Sequence, residues 1–209
     1  MLRPEVQRIL DEHSQVFVGM GRLNDREVKL MIDDRIEPVA QKPRKTPYNL
    51  QAKVDQKLTD LLQHDIIEKV PEDVTRTWIS PTVVALRPQD PNRIRFCVDM
   101  RRANEAISRP NTVIPTVDEL IHQMNGAVTF SKLDLREAFH QLVLAPESRH
   151  ITTFYANGSL YRYKRLNFGT KTAQDIFHET LCNVLTGIPN PEKYLWRYPS
   201  VWEISTRTR

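Results

Sequence analysis

The stretch Phe130-Ser131-Lys132-Leu133-Asp134-Leu135-Arg136-Glu137-Ala138-Phe139-His140-Gln141 constrains this chain more than any other. The run from Val128 to Leu133 predicts a strand, and that strand ends on a carboxylate. A short helical turn follows and carries an aromatic ring at Phe139. A carboxylate at a strand end, open on one side, suits Mg²⁺ and a triphosphate, because both demand oxygen ligands with room around them. A two-metal site also needs a second acidic strand later in the chain, and none is legible. Taken alone, an aspartate after a strand is more often an N-cap or turn residue.

The rest of the chain divides into short elements. Residues 1–21 read as a polar amphipathic helix and a loop, with Val6, Ile9 and Leu10 at helical spacing. Glu27 to Ile32 reads as a strand. Pro38, Pro43 and Pro47 among lysines and arginines make 36–49 an extended basic segment. Val54, Leu58, Leu61 and Leu62 line one face of a helix from Leu50 to Gln63. Ile66 to Val70 is a short strand. Trp78 to Leu86 is another, with Pro81 at its edge or start. Pro88 to Asn92 is a turn, and Arg93 to Asp99 alternates as the return strand of a hairpin with one cationic face. Thr116-Val117-Asp118-Glu119 is a capping box opening a helix through Met124. Leu142 to Leu144 and Ile151 to Phe154 flank a loop, and Asn157-Gly158 is a hairpin turn before Leu160 to Tyr163. Ala173, Ile176, Phe177, Leu181, Val184 and Leu185 mark a long amphipathic helix ended by Gly187 and Pro189.

Composition sets bounds on the function. An apolar fraction of 40% and a charged fraction of 27% in 209 residues fit a globular chain. The charged N-terminus lacks a signal-peptide core, and two cysteines suit reduced thiols, so a cytoplasmic or nuclear and not a secreted protein is expected. No apolar run is long enough for a membrane span, so no membrane partner is expected. The net charge is only +4, but Arg87, Arg93, Arg95, Arg101 and Arg102 cluster in one window. Met31-Ile32-Asp33-Asp34 imitates a paired-aspartate motif yet reads as a solvated turn. His178 and Cys182 share a helix face, where packing is the simpler reading.

Four segments together carry a resemblance. Trp78-Ile79-Ser80-Pro81, Arg95-Phe96-Cys97-Val98-Asp99-Met100-Arg101-Arg102-Ala103-Asn104, Phe130 to Gln141, and Leu166-Asn167-Phe168-Gly169 resemble, in order and spacing, the reverse transcriptase of gypsy-type LTR retrotransposons. The resemblance spans about 22–190. It implies an α+β polymerase right-hand fold, with fingers, an incomplete palm and no thumb. It implies template-directed DNA synthesis from dNTPs by two-metal phosphoryl transfer, with Mg²⁺ as cofactor and an RNA or DNA template-primer as partner. Asp134 would be the catalytic carboxylate and metal ligand. Arg95 would clamp the triphosphate, with Arg87 beside it in the fingertip hairpin. Leu135 and its backbone would lie near the triphosphate. Phe139 would be the steric gate beneath the incoming sugar, and Phe168 and Gly169 would floor the nucleotide. The chain departs from the family where Arg87-Pro88 replaces a lysine pair. It departs again where Asn167, Thr170 and Gln174 replace proline, leucine and proline, which predicts a less constrained loop.

The implied division is a lead-in helix and linker at 1–21, fingers at 22–107 and 144–166, and a partial palm at 108–143 and 167–190. The tail at 191–209 does not fit the pattern. Codons chosen for Lys193 to Arg209 and read one nucleotide later give Asn-Ile-Ser-Gly-Asp-Ile-Leu-Val-Tyr-Gly, which resembles the missing acidic strand. Trp196, with its single codon, forces glycine where the first aspartate of the pair belongs. An out-of-frame or alternatively spliced tail is therefore expected, and an enzyme inactive on its own. The alternatives are a non-catalytic nucleic-acid or nucleotide-binding module and a pseudogene product.

Overall fold

The structure is a computed structural model. It describes residues 4–23, 26–71, 78–88, 90–110, 118, 119, 122 and 134–186, with backbone alone at 91, 92, 196–198 and 201–203. The expected strand 128–133 lies outside the described residues. So does most of the expected helix 116–124, of which 118, 119 and 122 are helical.

Five strands form the main sheet: β2 (Ile67–Lys69), β3 (Ser80–Arg87), β4 (Asp90–Val98), β6 (Phe154–Ala156) and β7 (Ser159–Tyr163), in the order β2-β7-β6-β3-β4. β3 and β4 are an antiparallel hairpin, with Ala85 opposite Arg95. β3 runs parallel to β6, with Ser80 opposite Phe154. Pro81 is the second residue of β3, where a missing N–H is tolerated at a strand start. β6 and β7 close on Asn157-Gly158, both at positive φ (40° and 86°), the two-residue turn whose twist suits antiparallel strands. Asn157 Nδ2 donates to Asp55 Oδ1 at 2.8 Å and ties that hairpin to helix α2 (Gln51–Gln63).

α2 turns Val54, Leu58 and Leu61 into one core with Trp78, Val98, Ile151 and Phe154. The rings of Phe96, Tyr161 and Tyr163 lie 5.9, 5.8 and 5.3 Å from that of Phe154. Ile94, Phe96 and Val98 pack inward on β4, and Arg93 and Arg95 point to solvent, as the alternation requires.

The segment before the sheet also contributes a strand. β1 (Glu27–Val28) pairs in parallel with β5 (Val143–Leu144), and Leu30 N donates to Ser148 Oγ at 2.9 Å. Gly21 passes directly over Gln141, where a Cβ would meet Gln141 Oε1 at 2.7 Å. Other α-helices whose bounds fall among the described residues are α1 (Pro4–Glu12), which buries no side chain, α3 (Arg101–Ala106) and α4 (Ala173–Val184). In the tail, β8 (Trp196–Tyr198) and β9 (Val201–Glu203) form a two-stranded antiparallel hairpin.

Four expectations need correction. The predicted strand Glu27–Ile32 pairs only at Glu27–Val28, beyond which Ile32 makes a single bridge to Ile107. The turn placed at 88–92 is shorter, because β4 already starts at Asp90. The segment from Ile151 is a 3-10 turn (His150–Thr152), since Thr152 and Thr153 hydroxyls donate back to Arg149 O and His150 O. On α4 the buried face is Ala173, Asp175, Phe177 and Thr180, and Val184 is 55% exposed. Asp175 is buried there because Arg109 neutralises it with two hydrogen bonds.

Candidate nucleotide and metal site

Asp134 opens the described segment that runs to Thr186 and is exposed; Leu135 behind it is half-buried against the core. Glu137 takes a left-handed conformation (φ 49°) that a non-glycine residue adopts only under constraint. Its carboxylate lies 3.1 Å from His140 Nδ1, and that close approach holds the Glu137 carboxyl below its ordinary range. The turn then runs through the 3-10 segment Ala138–Gln141, which buries Phe139 and His140.

Phe139 packs its ring 4.6 Å from Phe168 and edge-on to Phe177 at 5.6 Å. Phe168 keeps 46% of its surface exposed. It is thus an aromatic face supported from below and open above. Gly169 follows at φ 101°, and a Cβ there would meet Val98 O at 3.2 Å and Met100 Cγ at 3.4 Å. Glycine is required here for both the dihedral and the close approach to the sheet.

Around Phe168 the loop is better tied than its composition predicts, which corrects the expectation of a less constrained loop. Thr170 Oγ1 donates to Asn167 Oδ1 at 2.8 Å, and Asn167 Nδ2 donates to Phe168 O at 3.1 Å. Two of the three loop residues that depart from the family pattern therefore bond to each other, and Asn167 is fully buried. Beneath them the buried Arg165 donates to His140 O at 3.1 Å and to Asp65 O at 3.2 Å. That links the loop to the Asp134–Gln141 turn.

The cations fall into two groups. Arg87 and Arg95 are exposed on the β3–β4 hairpin. Arg87 and Lys57 both help lower the Glu137 carboxyl, which places them within electrostatic reach of the turn after Asp134. In the second group Arg101 was legible from the arginine cluster, but its pairing with Asp99 and the part played by Arg44 were not. Asp99 accepts from Arg101 at 2.8 and 2.7 Å and from Arg44 at 2.8 Å. The arginines hold its carboxyl at about 2, chiefly through the Arg101 hydrogen bonds. Asn104, 65 residues from Gly169 in sequence but adjacent in space, bonds to Gly169 and Lys171. No local pattern reveals that contact.

Two expected decoys behave as such. Asp33 is a turn residue bonded by Arg35 at 2.8 and 2.7 Å, which lowers its carboxyl to about 2. His178 Nε2 and Cys182 Sγ lie 3.7 Å apart on α4.

Mg²⁺ takes six oxygens in a near-ideal octahedron, usually from one or two carboxylates plus water and phosphate. The exposed Asp134 fits one such carboxylate. Among the described residues no group of three or more His, Cys, Asp or Glu side chains could hold a metal ion.

The architecture is that of viral reverse transcriptases. Superposed on the prototype foamy virus protease-reverse transcriptase, the chain gives a TM-score of 0.79 over 98% of its length and 26% of that protein's, at 20% identity. The foamy viral enzyme in complex with RNA/DNA hybrid gives 0.79 over 99% and 27%, at 18% identity. The fold is a fragment of the polymerase right hand. Sequence relatives narrow the class. The Pol polyprotein of transposon 412 from Drosophila melanogaster is 25% identical over 206 residues, covering 94% of this chain and 16% of the relative. That of transposon gypsy from the same fly is 29% identical over 169 residues, covering 81% and 13%. No protein-family model matches the chain. The chain is a homologue of retrotransposon Pol polyproteins, gypsy among them, and carries a fragment of the reverse transcriptase fold. It spans less than a fifth of the length of these relatives. Among the described residues, no helix is long and apolar enough to cross a membrane.

Proposed function

We propose that this chain is the fingers and partial palm of a gypsy-type reverse transcriptase, binding a nucleic-acid template and a nucleotide but inactive as these 209 residues alone. The division is the one expected from sequence: fingers at 22–107 and 144–166, partial palm at 108–143 and 167–190, and an out-of-frame or alternatively spliced tail at 191–209. The observation that carries the reading is the packing of Phe139 against the half-open Phe168, a few residues beyond Asp134. Phe139 is buried between Phe168 and Phe177, so as the steric gate it would act from beneath, by setting the height of the surface under the sugar; Phe168 and Gly169 would offer a face on which any base stacks. The exposed Arg87 and Arg95 would meet phosphates, and Leu135 would lie near them behind Asp134. Mg²⁺, when bound, would polarise the primer oxygen and the leaving phosphate, with Asp134 as its ligand. Composition supports the inactivity of these residues alone: no aspartate occurs among them after Asp175 to supply the second carboxylate pair.

Primer extension with Mg²⁺ and template binding at several salt concentrations test the reading together. The expected result is no extension, with template affinity that falls steeply with salt and drops in Arg95→Ala. Robust dNTP incorporation abolished by Asp134→Asn would overturn the inactivity. Salt-insensitive or absent binding would overturn the nucleic-acid reading.

A further inference from the structure

Asn104 has no role in the reading above, yet its side chain does two things at once. Nδ2 donates to Gly169 O at 2.7 Å, and Oδ1 accepts from Lys171 N at 2.8 Å. Lys171 reciprocates: its Nζ donates to Asn104 O at 3.4 Å and to Ile107 O at 3.0 Å. Those carbonyls lie at the C-terminal end of α3, where helix carbonyls have no partner within the helix. Helix and loop therefore grip each other, side chain to backbone in both directions.

Only an amide of this length serves. Aspartate offers acceptors alone and would set a carboxylate oxygen against Gly169 O. Glutamine is one methylene longer, and alanine offers neither group. Gly169 also abuts Val98 O, so the loop cannot shift toward the sheet. α3 begins at Arg101, where Asp99 gathers the guanidinium groups of Arg44 and Arg101. One short unit thus carries a cationic surface at its start and the aromatic floor near its end.

We propose that Asn104 is a positioning residue that sets the Phe168–Gly169 floor at a fixed distance from the Asp99–Arg101 surface, so that base stacking and phosphate contact are satisfied by one strand together. The proposal rests on the nucleic-acid reading above. The full chain is titrated with a short single-stranded DNA carrying one 2-aminopurine, in the parent, Asn104→Asp, Asn104→Ala, Phe168→Ala and the double variant of Asn104→Asp with Phe168→Ala. Asn104→Asp is expected to weaken binding about tenfold and to lose the stacking quench. In Asn104→Ala, which adds no charge, the slope of log affinity against log salt stays unchanged, because the cations of the Asp99–Arg101 surface are untouched. In the Phe168→Ala background Asn104→Asp costs nothing further. An equal loss in both backgrounds, or a reduced salt slope with the quench retained, overturns the proposal. Amide hydrogen exchange supplies an arm without DNA. Protection at Lys171 is expected to fall in Asn104→Asp and Asn104→Ala while the interior of α4 is unchanged. Unchanged protection at Lys171 overturns the proposal by itself, whereas a parent that fails to bind the DNA overturns the nucleic-acid reading instead.

Discussion

Replacing Arg109 with alanine tests whether a mostly exposed side chain can be a main support of the core. Arg109 is 62% exposed, and its partner Asp175 is 1% exposed in the first turn of α4. The pair makes two hydrogen bonds, 2.8 and 3.1 Å. Judged by the arginine alone, the substitution resembles a surface change, within about 0.5 kcal/mol. Judged by the aspartate, it strands a buried carboxylate, which typically costs about 3–5 kcal/mol. The helix N-terminus offsets part of that, by about 0.3–1 kcal/mol, so about 3 kcal/mol is expected. For a chain of this size that corresponds to a fall in Tm of about 6–12 °C. Urea denaturation of the parent, Arg109→Ala, Asp175→Asn and the double variant separates the terms. Once Asp175→Asn has removed the charge, Arg109→Ala should cost less than about 1 kcal/mol, leaving a coupling of about 2 kcal/mol. A single variant within about 0.5 kcal/mol of the parent, or an equal cost in both backgrounds, refutes the reasoning.

Two further outcomes follow from the same geometry. The Asp99 carboxyl is held at about 2 against an ordinary 3.8, so its contribution is fully present above about pH 4 and is lost as the pH falls through about 2. Arg101 is largely exposed and solvent screens the pair, so about 1 kcal/mol is expected. Thermal melts from pH 5 to 2 should show that much less acid sensitivity in Asp99→Asn, and superimposable pH profiles would refute the assignment. Gly169→Ala combines a left-handed backbone with contacts at 3.2 and 3.4 Å, and should cost about 2 kcal/mol in a thermal or urea melt. An unchanged Tm would show that the loop can relax away from the sheet.

Elements governed by neighbours in sequence were legible. The Asn157-Gly158 turn needs only positive φ at two positions, α2 needs only its 3.6-residue stripe, and β4 only its alternation. The family motifs pointed to Phe139 and Phe168, which the fold brings into contact. What sequence did not reveal are polar pairs between distant segments. Asp175 breaks the apolar stripe of α4 because its counterion sits 66 residues away, and the stripe alone placed Val184 inside. Asn167 and Thr170 looked like losses of stiffness because a hydrogen bond between two polar substitutes leaves no mark in a pattern of apolar spacing. Asn104 and Arg44 were invisible for the same reason: their partners are chosen by the tertiary fold.

The pairing of β1 with β5 has a consequence for the order of assembly. Leu30 waits for Ser148, 118 residues further on, before its amide is bonded, and Gly21 cannot seat on Gln141 until both exist. The β3–β4 and β6–β7 hairpins close over short spans and can form first, since contacts between near neighbours lose the least chain entropy. On the ribosome the lead-in segment would therefore emerge early and dock late. The turn after Asp134 would reach its final position only when the segment around Gly21 returns to cover it.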